Sequence, residues 1–155
     1  MKQKTGKKLS KMKAVDQQFH DRIEPLFMSW GLSQHPNKRS YFGRSDHGYR
    51  YDFADFRDLS DVKLAAFSIY QPDASLSIRG YRLGPFDEDM EDLPILFGNI
   101  KGTFVLRRNW AIWRPLTVKF ELGSNIKQED IPQKAEALID DVFKHIGKLH
   151  RYLYG

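Results

Sequence analysis

Hydrophobic residues recur with helical spacing near both ends of the chain. Between Ala14 and Trp30 they lie mostly three or four positions apart, on one face of a predicted helix: Val15, Phe19, Ile23, Leu26, Phe27 and Trp30. Pro25 lies inside this pattern, so we expect a kink or a break near residues 22–24. A longer run of the same kind, from Ile131 to about Tyr154, predicts a C-terminal helix.

Between these helices the period changes from helical to two. Tyr49, Tyr51 and Phe53 alternate with polar residues, and the segments LAAFSIYQ (64–71) and SLSIRGYRL (75–83) flank a turn-like Pro-Asp-Ala, as in a hairpin. Further strands are predicted over 103–107, 110–113 and 116–122. The sequence therefore predicts an α+β fold, a mainly antiparallel sheet of five or six strands with the N- and C-terminal helices packed on one face.

The stretch RRNWAIWRPL (107–116) places tryptophans among arginines. Apolar residues before and after it fall on even positions, so Trp110 is expected to face the core and Trp113 the opposite side of the sheet. Trp113 would then join Arg107, near Tyr41 or Tyr70, in an aromatic and cationic surface. Such a surface suits either a protein interface or stacking on bases.

Lysine is concentrated at the start of the chain. The 155 residues include 25 basic and 20 acidic side chains, a net charge of +5, and six lysines precede residue 14 without any acid: Lys2, Lys4, Lys7, Lys8, Lys11 and Lys13. The remainder is close to neutral. We therefore predict a basic flexible tail over residues 1–13 and a single α+β domain over 14–155.

Several function classes lack support in the sequence. The chain has no cysteine, which excludes disulfides and thiolate chemistry, and its glycines form no phosphate-binding loop. The five histidines show no metal-ligand spacing, so we expect no metal and no cofactor. No apolar run approaches the roughly 18 to 20 residues of a membrane span. We expect a cytoplasmic protein that does not associate with a membrane.

Three functions stay open on the residues. The leading hypothesis is protein binding without catalysis, through an acidic cluster that suits a basic partner and through Arg107 with Trp113. The cluster consists of five residues: Asp87, Glu88, Asp89, Glu91 and Asp92. The alternative is nucleic-acid binding, in which the six tail lysines join Arg107, Arg114 and exposed aromatics in a salt-dependent contact.

The third hypothesis is a magnesium-dependent nuclease. Asp61-Val62-Lys63 fits the (Asp/Glu)-x-Lys tripeptide of restriction-type nucleases, and Asp52 or Asp46 would be the earlier acid, with Glu24 nearby. In such sites the carboxylates hold the metal while the lysine orients or activates water.

The segment FMSWGLSQHPNKRSYFGR (27–44) carries a resemblance. A helix ending in Gly-Leu, a polar loop and an Arg-rich strand resemble the start of small bacterial domains in which a meander and a closing helix follow. Leu32 stands where those domains usually have phenylalanine. Some members are similar to immunity-type or phage-associated proteins. The resemblance implies a bacterial or phage protein that binds a partner, such as an inhibitor or immunity factor, and brings no catalytic residues.

Overall fold

The computed structural model describes residues 10–86, 100–108 and 119–155. The N-terminal helical segment comprises α1 (Lys11–Gln18), a π-helical turn (Phe19–Ile23) and α2 (Glu24–Ser29). The strands follow as β1 (Ser33–Gln34), β2 (Phe42–Ser45), β3 (Gly48–Asp55), β4 (Val62–Tyr70), β5 (Ser75–Leu83), β6 (Ile100–Val105) and β7 (Phe120–Glu121). A 3₁₀ turn (Gln128–Asp130) leads into α3 (Ile131–His145), which α4 (Gly147–Tyr154) continues.

The π-helical turn is the break that the proline predicts. Pro25 has no N–H to donate, and its ring would collide with a carbonyl one turn back. The Glu24 N–H instead donates to the carbonyl of Phe19, five residues earlier, and α2 begins with Pro25 in its first turn. The change of helix type keeps Phe19, Ile23 and Phe27 on one buried face.

All strand pairs of the sheet are antiparallel. The hydrogen-bonded order is β1-β3-β4-β5-β6, while β2 also pairs with β3 and β7 also pairs with β5. The described part of the sheet has seven strands and not five or six. The two-residue β1 was not predicted, whereas β7 lies within the strand predicted over 116–122. The predicted hairpin is present as β4 and β5, with Tyr70 opposite Ser75.

The helices cover one face of this sheet, as the apolar pattern predicts. Each of the predicted apolar stripes contributes buried residues to a single core: Val15, Phe19, Ile23 and Phe27 from the N-terminal segment, and Ile131, Ala135, Leu138, Ile139, Val142, Ile146, Leu149 and Leu153 from α3 and α4. The α+β fold and the packing of both helical ends on one face are confirmed. Within the described ranges, none of the helices has the length and apolar character to cross a bilayer.

The first helix begins earlier than the sequence pattern indicates. The Ser10 hydroxyl caps α1 by accepting from the Lys13 N–H at 3.0 Å. Lys11 Nζ donates to the carbonyls of Gly123 at 2.7 Å and Ser124 at 2.8 Å. Lys11 and Lys13, which the sequence analysis assigns to the tail, therefore belong to α1. The other tail lysines lie outside the described residues: Lys2, Lys4, Lys7 and Lys8.

Candidate functional site on the open face of the sheet

The sheet face opposite the helices, here called the open face, carries most of the polar strand residues. Along β3, Tyr51 and Phe53 point to the helices, so Arg50 and Asp52 point away from them. The register continues this alternation: Arg50 lies opposite Ser68, and Ser68 opposite Ser77. The open face thus presents hydroxyl and guanidinium groups where the other face presents apolar ones.

A depression of about 340 Å³ lies on the open face where β6 and β7 both approach β5. We call it the cationic depression and define it by six polar residues that line it: Tyr70, Ser75, Ser77, Arg79, Arg107 and Lys119. Leu76, Leu106 and Phe120 line it as well. None of the described lining residues is acidic, so this part of the open face is suited to an anionic partner.

Arg107 is the one residue of the predicted protein-binding patches that the structure describes. It is exposed, follows β6 and lines the cationic depression together with Tyr70, as the sequence predicts for this surface. Trp113 lies outside the described residues, and so do Trp110, Arg114 and the acidic cluster of Asp87, Glu88, Asp89, Glu91 and Asp92. Arg79 and Lys119, which sequence reasoning missed, reach the depression from β5 and from the residue before β7.

Asp52 anchors a second group of side chains on the open face. It is 4% exposed and accepts hydrogen bonds from Arg50 Nε and from the Tyr41 N–H, each at 2.9 Å. The Arg50 guanidinium lies over the Tyr41 ring, 5.2 Å from its centroid. We call Tyr41 and Arg50 the Tyr41–Arg50 pair. Asp52 therefore holds a cation and an aromatic ring in place, and its two oxygens are already engaged.

One end of the open face is apolar. Ala54, Val62, Leu64 and Leu83 are buried there beneath several larger side chains: Phe56, Leu59, Tyr81 and Phe86. His35, 3% exposed, lines a small cavity of about 10 Å³ beside Asp52 and Tyr81. Burial lowers the pKa of His35 although the Asp52 charge opposes the shift, so its neutral form is favoured. The cavity is about large enough for one water molecule.

The structure brings Asp61 and Lys63 of the predicted nuclease residues together, but not Asp52. Asp61 accepts two hydrogen bonds from Arg82, at 3.0 Å and 2.6 Å, and lies 3.7 Å from Lys63 Nζ. Lys63 lies opposite Asp55 in the register of β3 and β4. Its side chain points to the helix side, where the ammonium lies over the Tyr154 ring. Asp52 points to the open face. The acid that should join Asp61 and Lys63 is therefore on the other side of the sheet.

Asp46 and Glu24, the other candidate acids, do not complete a metal site. Asp46 is exposed in the turn between β2 and β3, and Glu24 contacts His20 on its own helical segment. Across residues 10–86, 100–108 and 119–155, no three His, Asp or Glu side chains are grouped so that they could hold a metal ion.

A hydrogen-bonded chain of titratable residues crosses from the N-terminal helices to β3. Glu24 Oε2 lies 2.6 Å from His20 Nδ1, and His20 Nε2 lies 3.0 Å from the Tyr51 hydroxyl, which donates to Asp16 at 2.5 Å. Burial and then the Asp16 hydrogen bond raise the pKa of Tyr51 above its usual value, so the hydroxyl keeps its proton. The spacing of four residues between Asp16, His20 and Glu24 indicates in the sequence that these side chains lie on one helix face. The contact with Tyr51 could not be predicted from the sequence.

A second polar cluster joins the C-terminus to the sheet. The Asp55 carboxylate accepts from Arg57 Nη2 and from the Tyr154 hydroxyl, each at 2.7 Å. Burial tends to raise the pKa of Asp55, but the hydrogen bonds from Arg57 and Tyr154 outweigh it and hold the pKa at about 2. Asp55 therefore stays ionised and fixes the end of α4 on the strand.

We expect this cluster to make the protein sensitive to acid. Because the pKa of Asp55 is lower in the folded chain than its ordinary 3.8, its stabilising effect is complete above about pH 5 and is mostly lost as the pH falls to 2. The loss should be about 2 kcal/mol. Urea unfolding at pH 5 and pH 2 checks it: the native chain should lose about 2 kcal/mol more than Asp55→Asn. An equal loss in both proteins would contradict the assignment.

Comparisons with protein-family models, with curated proteins and with solved structures find no match to this chain.

Proposed function

We propose that this protein acts by binding another protein, without catalysing a reaction, and that the open face of its sheet is the binding surface. The observation that carries the proposal is the cationic depression, in which Arg79 and Arg107 stand beside the exposed Tyr70. Arginine and tyrosine are enriched among the residues that dominate protein interfaces.

The hydrogen bonds of three carboxylates support a role without turnover. Asp52, Asp55 and Asp61 each accept hydrogen bonds from an arginine, so that their oxygens hold the fold together. A general base must instead reach the proton that it abstracts from a substrate. The third hypothesis, the nuclease, gains no support from the positions of Asp52, Asp61 and Lys63.

Binding of nucleic acid through the same face is less well supported by the exposed rings. Proteins that bind single strands stack successive bases on aromatic side chains. On the described open face, Tyr41 is 44% and Tyr70 41% exposed, but the Arg50 guanidinium covers one face of the Tyr41 ring, and Tyr81 is half-buried. Tyr70, an exposed ring without a cation over it, is a better match to an anchoring residue of a protein interface than to a row of stacking platforms.

The proposal also covers the location of the protein and its biological role. We propose a cytoplasmic location, which suits a chain without cysteine, and a role as an inhibitor or immunity-type factor from a bacterium or phage. Both follow from the sequence pattern and the resemblance given above.

The proposal can be tested by capture from a lysate of cells that naturally contain the protein. Three full-length baits are compared: the native chain, Arg79→Gln/Arg107→Gln, and the control Lys134→Gln/Lys144→Gln. The control removes the same charge from exposed positions of α3. We expect one stoichiometric protein on the native and control baits after washing at moderate salt, and its loss from the arginine variant.

Salt separates this proposal from nucleic-acid binding. Contacts with phosphates weaken steeply as salt rises, because condensed counterions are released on binding. A fourth bait with Lys2, Lys4, Lys7 and Lys8 changed to glutamine tests the tail. Nucleic acid held at low salt by the native chain and lost from this bait, with no protein retained at moderate salt, would contradict the proposal.

A further inference from the structure

We infer that the cationic depression takes the carboxylate side chains of an acidic segment in the partner protein. This inference rests on the proposed binding function and adds the chemistry of the partner. Three cations line the depression, Arg79, Arg107 and Lys119, and no described lining residue is acidic. A partner that placed carboxylates there would be attracted, whereas a basic one would be repelled.

Among the described residues, these cations lack the carboxylate partners that several other arginines have. Many arginines of the described chain are already paired with an aspartate: Arg22 with Asp140, Arg50 with Asp52, Arg57 with Asp55, Arg82 with Asp61 and Arg108 with Asp141. Within the described residues, Arg79, Arg107 and Lys119 form no such ion pair. Arg79 and Arg107 can therefore offer their guanidinium groups to a ligand.

The position of Arg79 favours a planar, two-oxygen acceptor. Its Nε donates to the Ser77 hydroxyl at 3.3 Å, and among the described residues the two terminal nitrogens of the guanidinium have no acceptor, so they can donate to a partner. A guanidinium fork matches a carboxylate through two parallel hydrogen bonds, a geometry that a lysine does not provide. The hydroxyls of Ser75 and Ser77 line the same depression and add further donors.

The size and the apolar lining favour a peptide segment over a free anion. About 340 Å³ accommodates a few side chains, and Val105, which also lines the depression and is 39% exposed, offers apolar contacts to their methylene groups. Glutamate side chains combine both requirements, because two methylene groups carry the carboxylate. The exposed Tyr70 at the rim can pack against the segment on entry.

A labelled octaglutamate peptide is the probe for this inference. Its binding to the full-length protein is followed by fluorescence anisotropy at moderate salt, with the same variants as above. We expect Arg79→Gln/Arg107→Gln to weaken binding at least about tenfold, since charge-assisted hydrogen bonds are lost. Lys134→Gln/Lys144→Gln should stay within about twofold, and Arg79→Lys/Arg107→Lys should be intermediate, because it keeps the charge and loses the fork.

Each alternative result overturns the inference in a different way. Equal weakening in the arginine variant and in the α3 control would mean general attraction by net charge. Binding lost only when Lys2, Lys4, Lys7 and Lys8 are changed would place the anion on the tail. An eight-nucleotide single strand that bound more tightly, with the same dependence on Arg79 and Arg107, would make phosphate the ligand. No detectable peptide binding would overturn the inference as well.

Different results would contradict the protein-binding function and the acidic segment. If the lysate yields a partner that remains bound to Arg79→Gln/Arg107→Gln, the protein-binding function stands and the acidic segment does not. If the lysate yields no partner, the binding function fails whatever the peptide does. Thermal unfolding of every variant, with a midpoint close to that of the native chain, shows that each comparison is made on folded protein.

Discussion

Asp52→Ala is expected to lower the free energy of unfolding by about 3 kcal/mol, the low end of the range for breaking a buried ion pair. The carboxylate is 4% exposed and accepts from Arg50 and from the Tyr41 N–H, so its removal leaves both donors without their acceptor. Arg50 is partly exposed and can regain water, which keeps the effect from being larger. Urea unfolding of both proteins at neutral pH measures the difference.

Two further variants make the result specific. Asp46→Ala removes an aspartate from the exposed turn between β2 and β3 and should change stability by less than about 0.5 kcal/mol. Asp52→Asn keeps an oxygen for the Tyr41 N–H but loses the charge opposite Arg50. Its loss of stability should therefore lie between those of Asp46→Ala and Asp52→Ala. A loss below about 1 kcal/mol in Asp52→Ala would contradict the anchoring role and reopen a functional role for this acid.

Phe19→Ala is expected to be more damaging still, at about 4 kcal/mol, since truncating a buried phenylalanine typically costs about 3 to 5 kcal/mol. Phe19 is fully buried in the π-helical turn. Its ring stacks on Tyr51 at 4.2 Å and meets Phe67 at 4.6 Å between centroids. The substitution removes the ring that joins the N-terminal helices to β3 and β4.

Chemical unfolding of Phe19→Ala and of a matched surface variant tests this expectation. Met28→Ala lies on the same helical segment, is 59% exposed in the native chain and should change stability by less than about 0.5 kcal/mol. If Phe19→Ala lost no more stability than Met28→Ala, the result would contradict the packing of the π-helical turn against the sheet.

The fold was largely predictable because burial follows a simple period. The spacing of Val15, Phe19, Ile23 and Phe27 placed them on one face, and all are buried. Near the end of β6 and in β7 the even positions were expected to face the core, and Leu106, which follows β6, and Phe120 do so. The π-helical turn was not predictable as such, since a proline announces a break but not how the backbone avoids it.

The candidate site was predictable only in part, because side-chain partners come from distant parts of the chain. Arg107 was identified from its own neighbourhood and lines the depression. Arg79 was not identified, since it lines the depression only because β6 and β7 both approach β5 in the fold. Asp52 was interpreted as a metal ligand, yet it binds Arg50 and the backbone of Tyr41. Spacing along the sequence does not reveal whether a carboxylate is already neutralised in the fold.

The hydrogen bonds of Asp52 have a consequence for recognition. The Tyr41–Arg50 pair is ordered by folding itself, so a partner that touched it would lose little conformational entropy there. Arg79 and Arg107 have no such carboxylate clamp among the described residues, and ordering each on binding should cost about 0.5 to 1.5 kcal/mol. One side of the open face is thus preorganised and the other is adaptable. The Tyr41–Arg50 pair should therefore discriminate between partners by their shape. Arg79 and Arg107 should tolerate variation in the partner's sequence.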